Sequence, residues 1–180
     1  MSGFMKIIAS LLLTVLSLSA GVYEDLEYGD TRQQVTDKLM ACERVDNTIP
    51  KTMFARVGLN GTFKIKKDLK GLNFSLFFNW NENQQLNEIA LRSNAIAPGN
   101  ANSKLSGPFK SATRLITEVY GPAVMSNSIP KSSQIKDGSI LNSHLWNVDG
   151  GTLLMGIAKD QGKFHLSISF LEKHINPVPK

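Results

Sequence analysis

Two stretches of the sequence repeat one order of elements, a helix followed by alternating strands, and this repetition constrains the fold more than any other feature. The first stretch covers residues 22–96 and the second covers residues 108–173. A helix that accompanies an antiparallel meander is typical of α+β proteins. We therefore predict an α+β fold in which two helix-then-antiparallel-meander units pack into one compact domain.

The first helix is predicted to begin at Thr31, whose hydroxyl can cap it while Gln34 reaches back to the cap residue. Apolar residues then recur at helical spacing and predict one buried stripe. The stripe consists of Val35, Leu39, Cys42 and Val45. Residues 47–50 should end this helix.

The strongest local signal is Asn60-Gly61, because this pair supplies the positive φ angles of a two-residue type I′ turn. It predicts a hairpin between residues 53–59 and 62–67. The next strand should be central in the sheet, since apolar side chains occupy every second position. These positions are Leu72, Phe74, Leu76, Phe78 and Trp80. A polar turn then leads into the last strand of the unit, residues 86–92.

Residues 97–107 are rich in Pro, Gly, Asn and Ser, which predicts an exposed linker between the units. The second helix follows and should end at Gly121-Pro122, because Gly accepts a left-handed cap and Pro bars continuation. Residues 124–138 should be irregular. An antiparallel meander of three strands is predicted at residues 139–148, 152–158 and 163–171. We expect the tail, residues 174–180, to be loose.

The first 21 residues have the pattern of a secretory signal peptide and do not enter the fold prediction. Lys6 precedes an apolar run at residues 7–18, and residues 19–21 are the small side chains that signal peptidases accept. The run is shorter than the roughly 20 residues of a membrane-spanning helix, so no stable membrane anchor is predicted after cleavage. We expect an exported protein, periplasmic or secreted; an uncleaved anchor or a buried first helix is the alternative.

Charge and cysteine content limit the partners. The formal net charge is +5, and removal of Lys6 with the signal leaves +4. Such an excess is typical of a soluble surface, and we predict no nucleic-acid partner. Cys42 is the only cysteine, so the chain forms no internal disulfide, and no lipid-bearing cysteine follows the small residues of the signal. We interpret Cys42 as a small buried hydrophobe.

The doubled layout resembles the β-lactamase inhibitor protein fold and the small lipoprotein of the outer-membrane barrel-assembly machinery. The resemblance is carried by residues 28–35, 77–80, 86–89, 120–122 and 145–146. It implies an exported binding protein. Two departures matter: the chain lacks the lipidated cysteine of the lipoprotein and the disulfides of the inhibitor. No partner-binding residue is therefore transferred.

The sequence contains no catalytic or metal-binding motif, and we predict no cofactor and no enzyme activity. The three histidines, His144, His165 and His174, have no second histidine or carboxylate at ligand spacing. A thiol nucleophile would need Cys42 beside a histidine, with Asp149 to orient it. Because Cys42 falls on the apolar stripe of the first helix, we favour a structural role for it.

Lysines form the densest charge feature of the chain. The candidates for binding an acidic lipid or polysaccharide are Lys64, Lys66, Lys67 and Lys70. Lysines on a strand also prevent a sheet edge from pairing with other chains, and we favour this edge role.

Trp80 and Trp146 occupy comparable places in the two β segments, each near a turn. With Phe78 they are candidate partner-binding residues on a concave sheet surface, although packing of each Trp against a helix is the favoured interpretation. The leading hypothesis is an exported, non-enzymatic module that binds a protein or a cell-envelope component through a sheet face. The alternatives are a small-ligand-binding or hydrolytic protein with a pocket between helices and sheet, and an anion-binding protein.

Overall fold

A computed structural model describes residues 22–176. The predicted signal peptide, residues 1–21, and the tail residues 177–180 lie outside the described residues. The described helices are α1 (Arg32–Ala41), α2 (Phe54–Val57) and α3 (Ala101–Tyr120). The described strands are β1 (Val45–Asn47), β2 (Phe63–Ile65), β3 (Phe74–Trp80), β4 (Leu86–Ser93), β5 (Met125–Ser126), β6 (Ser139–Val148), β7 (Gly151–Asp160) and β8 (Lys163–Leu171).

The strands form one continuous antiparallel sheet in the order β1-β2-β3-β4-β8-β7-β6-β5. The two units meet at its centre, where β4 pairs with β8 and Ile89 lies opposite Phe170. Each unit thus contributes four neighbouring strands. The prediction of a compact α+β domain with antiparallel strands is confirmed.

The helices cover one face of this sheet. The ring centroid of Phe54 in α2 lies 5.3 Å from that of Phe63, and the centroid of Phe109 in α3 lies 5.4 Å from that of His144. Strand register places Phe63, His144 and Phe170 on this same face. The core fills the space between the helices and this face. Its largest fully buried side chains include Trp146, Phe63, Phe74, Phe78 and Phe170.

The first helix begins as predicted but ends earlier. The Thr31 hydroxyl accepts a hydrogen bond from the Gln34 amide, and the Gln34 side chain accepts one from the Thr31 amide, so the capping box is present. The helix ends at Ala41 instead of near residue 47. Val45 opens β1 and is buried opposite Ile65, where its β-branched side chain suits a pleated surface better than a helix end.

The predicted hairpin around Asn60-Gly61 is wrong. A 3₁₀ turn (Lys51–Met53) and α2 occupy the place of its first strand, because Phe54 reaches the core from a helix. The Asn-Gly turn joins α2 to β2, with φ +76° at Gly61. Strand β2 pairs with both β1 and β3, so it is interior. The edge role is therefore also wrong for Lys64, the one lysine in this strand.

The predicted linker at residues 97–107 is mostly helix. A 3₁₀ turn (Pro98–Asn100) leads directly into α3. Ala101 and Leu105 are buried and extend the apolar stripe of Phe109 and Ala112 by two turns. The Pro- and Gly-rich composition predicted a loop here. The segment is nevertheless helical, because burial of one apolar stripe outweighs the poor helix propensity of two residues.

The second half otherwise follows the predictions. Helix α3 ends at Tyr120, and Gly121 adopts a positive φ of 81°. Strands β6, β7 and β8 form the expected antiparallel meander. Of the predicted loose tail, Ile175 donates its backbone N–H to the Thr152 hydroxyl at 2.9 Å.

Among residues 22–176, no helix is long and apolar enough to cross a membrane.

A candidate binding groove beside helix α3

A β-bulge orients His144 toward α3. The pairing of β6 with β7 shifts between Asn142 and His144, so that Ser143 is an extra residue in β6. Such a bulge turns the following side chain relative to the strand. It also brings the β6 backbone close to Gly156, where an added Cβ would collide with the carbonyl oxygen of Leu141. Glycine is thus required at this position.

Two serine hydroxyls hold the His144 ring. The Ser143 Oγ lies 3.0 Å from Nδ1, and the Ser126 Oγ lies 3.2 Å from Nε2. His144 is only 5% exposed, and this burial lowers its pKa below the ordinary histidine value. A neutral imidazole donates from one nitrogen and accepts at the other, and each hydroxyl can play the complementary part. The site therefore favours an uncharged histidine.

Three aromatic rings, one of them from α3, contact one another in series. His144 stacks on Trp146 at 5.5 Å between ring centroids, and Phe109 of α3 lies edge-on to His144 at 5.4 Å and 66°. Trp146 is fully buried, and its Nε1 has no hydrogen-bond partner among the described residues. The stack gives this part of the molecule a rigid apolar base.

Beside this stack lies a groove with a volume of about 650 Å³, which we call the α3 groove. One wall is α3, the other is the segment 127–129, and His144 lies at the base. The α3 residues that line the groove include Phe109, Lys110, Thr113, Arg114, Thr117 and Glu118. A volume of this size and a largely apolar base are typical of small-molecule sites.

The rim of the α3 groove carries charge on the helix side only. Lys110, Arg114 and Glu118 are exposed and follow each other at intervals of four, so they form one ridge of α3. The Arg114 Nε lies 3.7 Å from a Glu118 carboxylate oxygen. Lys110 has no ion-pair partner among residues 22–176. Two cations and one acid therefore face the groove.

Two of the three predicted partner-binding aromatics lie in the core. Phe78 is 2% exposed and Trp146 is fully buried, so neither can contact a partner. Trp80 is half-buried, and the Arg32 guanidinium lies 4.6 Å from its ring centroid. It lines a second depression of about 550 Å³ at the ends of β3, β4 and β8. The three aromatics thus form no common surface.

On the opposite face of the sheet, which no helix of the described residues covers, an arginine stacks on an aromatic ring. Arg92 and Ser167 lie opposite each other in β4 and β8, and the Arg92 guanidinium stacks 4.8 Å from the ring centroid of Phe77. Within the described part of the chain, the Arg92 Nε and the Ser167 Oγ are buried without a hydrogen-bond partner. Docking of a partner on this face remains a prediction; Ser167 is 2% exposed and, like Phe78, cannot contact a partner there.

The four lysines proposed for anion binding do not act as one group. Lys64 is exposed and lies opposite Ser75, on the helix-free face. Lys66 lies 3.4 Å from a carboxylate oxygen of Asp46, and Lys67 is half-buried. Lys70 adopts a positive φ of 52° in the following turn. The described residues form no pocket that these lysines share. Anion binding by them remains a prediction.

The residues considered for catalysis are also dispersed. Cys42 is half-buried at the end of α1, and burial raises the pKa of its thiol, which disfavours a reactive thiolate. His165 Nδ1 donates a hydrogen bond to the Ser93 carbonyl oxygen of β4 at 2.8 Å. No group of three His, Cys, Asp or Glu within the described residues is placed to hold a metal ion.

The α3 groove is not visible in the sequence pattern, because its walls carry mostly polar residues. The helix wall belongs to the hydrophilic side of α3, which a helical pattern assigns to solvent. The opposite wall lies in a segment predicted to be irregular. One signal was available: Ile129 is an isolated apolar residue among polar neighbours, and it packs against the core.

The resemblance to the β-lactamase inhibitor protein and to the barrel-assembly lipoprotein remains an expectation based on layout. Its quoted residues include the capping box of α1 and the buried strand β3, both of which serve this fold directly. Comparison of the chain with protein families, with curated proteins and with solved structures finds no match.

Proposed function

We propose that the mature protein is an exported, non-enzymatic binding module whose site is the α3 groove. Its ligand is a small molecule with an apolar body, of the kind that a cell envelope supplies. The observation that carries this proposal is the groove of about 650 Å³ beside the buried stack of Phe109, His144 and Trp146. An apolar body that enters it leaves water, which favours binding in proportion to the area buried.

The arrangement around the groove supports binding more than turnover. The base is rigid, since each nitrogen of His144 lies near a serine hydroxyl and the ring is packed between two others. A preformed site loses little conformational entropy when a ligand enters. The groove is lined by α3, by the segment 127–129 and by His144 of β6, all within the second unit.

The test uses a neutral fluorescent probe, N-phenyl-1-naphthylamine, and the mature chain, residues 22–180, with Trp80→Phe. Trp146 is then the only tryptophan, and it lies beneath the groove. We expect saturable probe fluorescence and energy transfer from Trp146 to the bound probe. The absence of both signals would contradict the proposal.

Two variants locate the bound probe. Thr117→Phe fills the groove from the α3 wall and should abolish binding. Lys104→Phe adds the same ring to an exposed position of α3 that does not line the groove, and it should leave binding unchanged. Equal binding by both variants would place the probe elsewhere. Thermal unfolding of each variant verifies that the fold is intact.

Hydrolysis at His144, which lines the groove, is a second candidate, favoured by one contact with the neighbouring Ser126. The Ser126 Oγ lies 3.2 Å from His144 Nε2, which is within reach for a nucleophile and its base. Ser143 occupies the place where a carboxylate usually orients the histidine. If the mature protein cleaves p-nitrophenyl butyrate and Ser126→Ala abolishes this turnover, hydrolysis replaces the non-enzymatic proposal.

A further inference from the structure

The charges on the rim specify the ligand more closely. We infer that the α3 groove takes an amphipathic anion, with an apolar body against Phe109 and Ile129 and one carboxylate or sulfonate beside Lys110 and Arg114. This inference rests on the proposed function, because it names the ligand class of the same site.

The cations are the first argument. Lys110 and Arg114 are one turn apart on α3, and both line the groove. Lys110 has no ion pair with any of residues 22–176, so its charge is open to a ligand. The Arg114 guanidinium, at 3.7 Å from Glu118, forms only a long contact and keeps donors free for a second acceptor.

The opposite wall is the second argument. Residues 127–129 contribute an amide, a hydroxyl and an apolar side chain, and none of them is an acid. An anion between the walls therefore meets two cations on one side and hydrogen-bond donors on the other. Among the described residues, Glu118, one turn beyond Arg114, is the only acid that lines the groove. The potential is thus most favourable to an anion between Lys110 and Arg114.

A matched pair of ligands tests the inference. N-phenyl-1-naphthylamine and 8-anilinonaphthalene-1-sulfonate share one aromatic skeleton and differ by a sulfonate. We expect the sulfonate probe to bind the Trp80→Phe protein about tenfold more tightly than the neutral probe, the size of two partly exposed charge contacts. This advantage should shrink as ionic strength rises.

Three substitutions on the rim should change the affinity for the sulfonate probe, two of them downward and one upward. Lys110→Gln and Arg114→Gln should each weaken sulfonate binding about threefold, and Glu118→Gln should strengthen it about twofold, because the competing acid is removed. The ratio of sulfonate-probe affinity to neutral-probe affinity should fall in the two variants that remove a cation and rise in Glu118→Gln. Lys163→Gln, which changes the exposed first residue of β8, is the matched control and should leave both probes unaffected.

The outcomes separate this inference from the proposed function. Equal affinity for both probes, with no effect of the three rim substitutions, overturns the anion inference while the groove remains a binding site. If the neutral probe does not bind the Trp80→Phe protein, both the anion inference and the proposed function are overturned. Decanoate and 1-naphthoate as competitors distinguish an acyl anion from an aromatic one; displacement of the sulfonate probe by either supports the inference, and displacement by neither contradicts it.

Discussion

The two halves of the sheet share one order of elements but close their helix-covered faces differently. Between β1 and β2 the chain forms α2, which places Phe54 against Phe63. Between β5 and β6 the chain has only a 3₁₀ turn (Ser132–Gln134), which brings Ile135 into the core and leaves Ile129 on the groove wall. The first half fills its space with an aromatic ring, and the second half keeps a groove.

The helices differ in the same sense. The 10-residue α1 is tied to the segment before it, since Lys38 donates to both carboxylate oxygens of Asp30 at 2.8 Å. Within residues 22–176, the 20-residue α3 has one ion pair, which lies along its own surface between Arg114 and Glu118. The closed half therefore carries stabilising contacts, whereas the open half exposes groups that a ligand can use. Stability and binding are expected to respond to different substitutions.

The largest expected effect concerns the ring that closes the first half. Phe54→Ala should lower the free energy of unfolding by about 3 kcal/mol, because it removes a buried ring and leaves a cavity beside Phe63. Ile129→Ala in the open half should cost below about 1 kcal/mol, since this side chain is only partly buried. Urea unfolding measures both. Similar losses for the two variants would show that the halves are closed equally well.

The Asp30 contact should have the next largest effect. The Asp30 carboxylate is 5% exposed and also accepts the Glu27 backbone N–H at 2.8 Å. Asp30→Ala removes the pair with Lys38 and the hydrogen bond from Glu27, and it should lower the free energy of unfolding by about 2 kcal/mol. The loss is smaller than for a fully buried pair, because Lys38 keeps contact with water. Asp37→Ala removes the exposed pair with Lys51 and should cause no measurable loss. If Asp37→Ala is the more damaging, the ascribed difference between buried and exposed pairs is wrong.

Strong periodic signals predicted most of the fold. The capping box at Thr31, the alternation in β3 and the meander of the second half depend on neighbours in sequence, so a pattern reveals them. Helix α2 has four residues and thus no period to detect. The start of α3 was not predicted, because Pro108 and its Gly and Ser neighbours are typical of a loop. Burial of Leu105 stabilises the helix there instead.

The candidate site was far less predictable. His144 reaches the groove only because of the bulge at Ser143, and a bulge depends on pairing with a strand that lies elsewhere in the sequence. The roles of Trp80 and Trp146 were also open, since comparable positions in two units differ in burial. Only the assembled sheet determines which tryptophan is covered.

The pH dependence of stability should distinguish the open half. Burial lowers the pKa of His144 in the folded state, so the unfolded chain binds more protons once pH falls below the ordinary value of 6.5. Stability should therefore be full above that value and decrease as pH falls toward the folded-state pKa. Urea unfolding between pH 7.5 and 5.5 should show a smaller decrease for His144→Asn than for the unmodified protein.

His174→Asn is the matched control for this experiment. His174 is exposed and lies outside the aromatic stack, so its substitution should leave the decrease in place. An unchanged profile for His144→Asn would mean that the decrease arises from other groups.

The smallest expected effect is spectroscopic and compares the two tryptophans. In Trp80→Phe the remaining Trp146 is fully buried, so its emission should lie at short wavelength and resist quenching by acrylamide. In Trp146→Phe the remaining half-buried Trp80 should be quenched readily.

Substitution of Trp146 by Phe should also cost less stability than its burial suggests, because it removes an indole N–H that has no acceptor among the described residues. A groove ligand should alter the emission of Trp146 and leave that of Trp80 unchanged, and the reverse result would move the binding site to the depression beside Trp80, in the closed half.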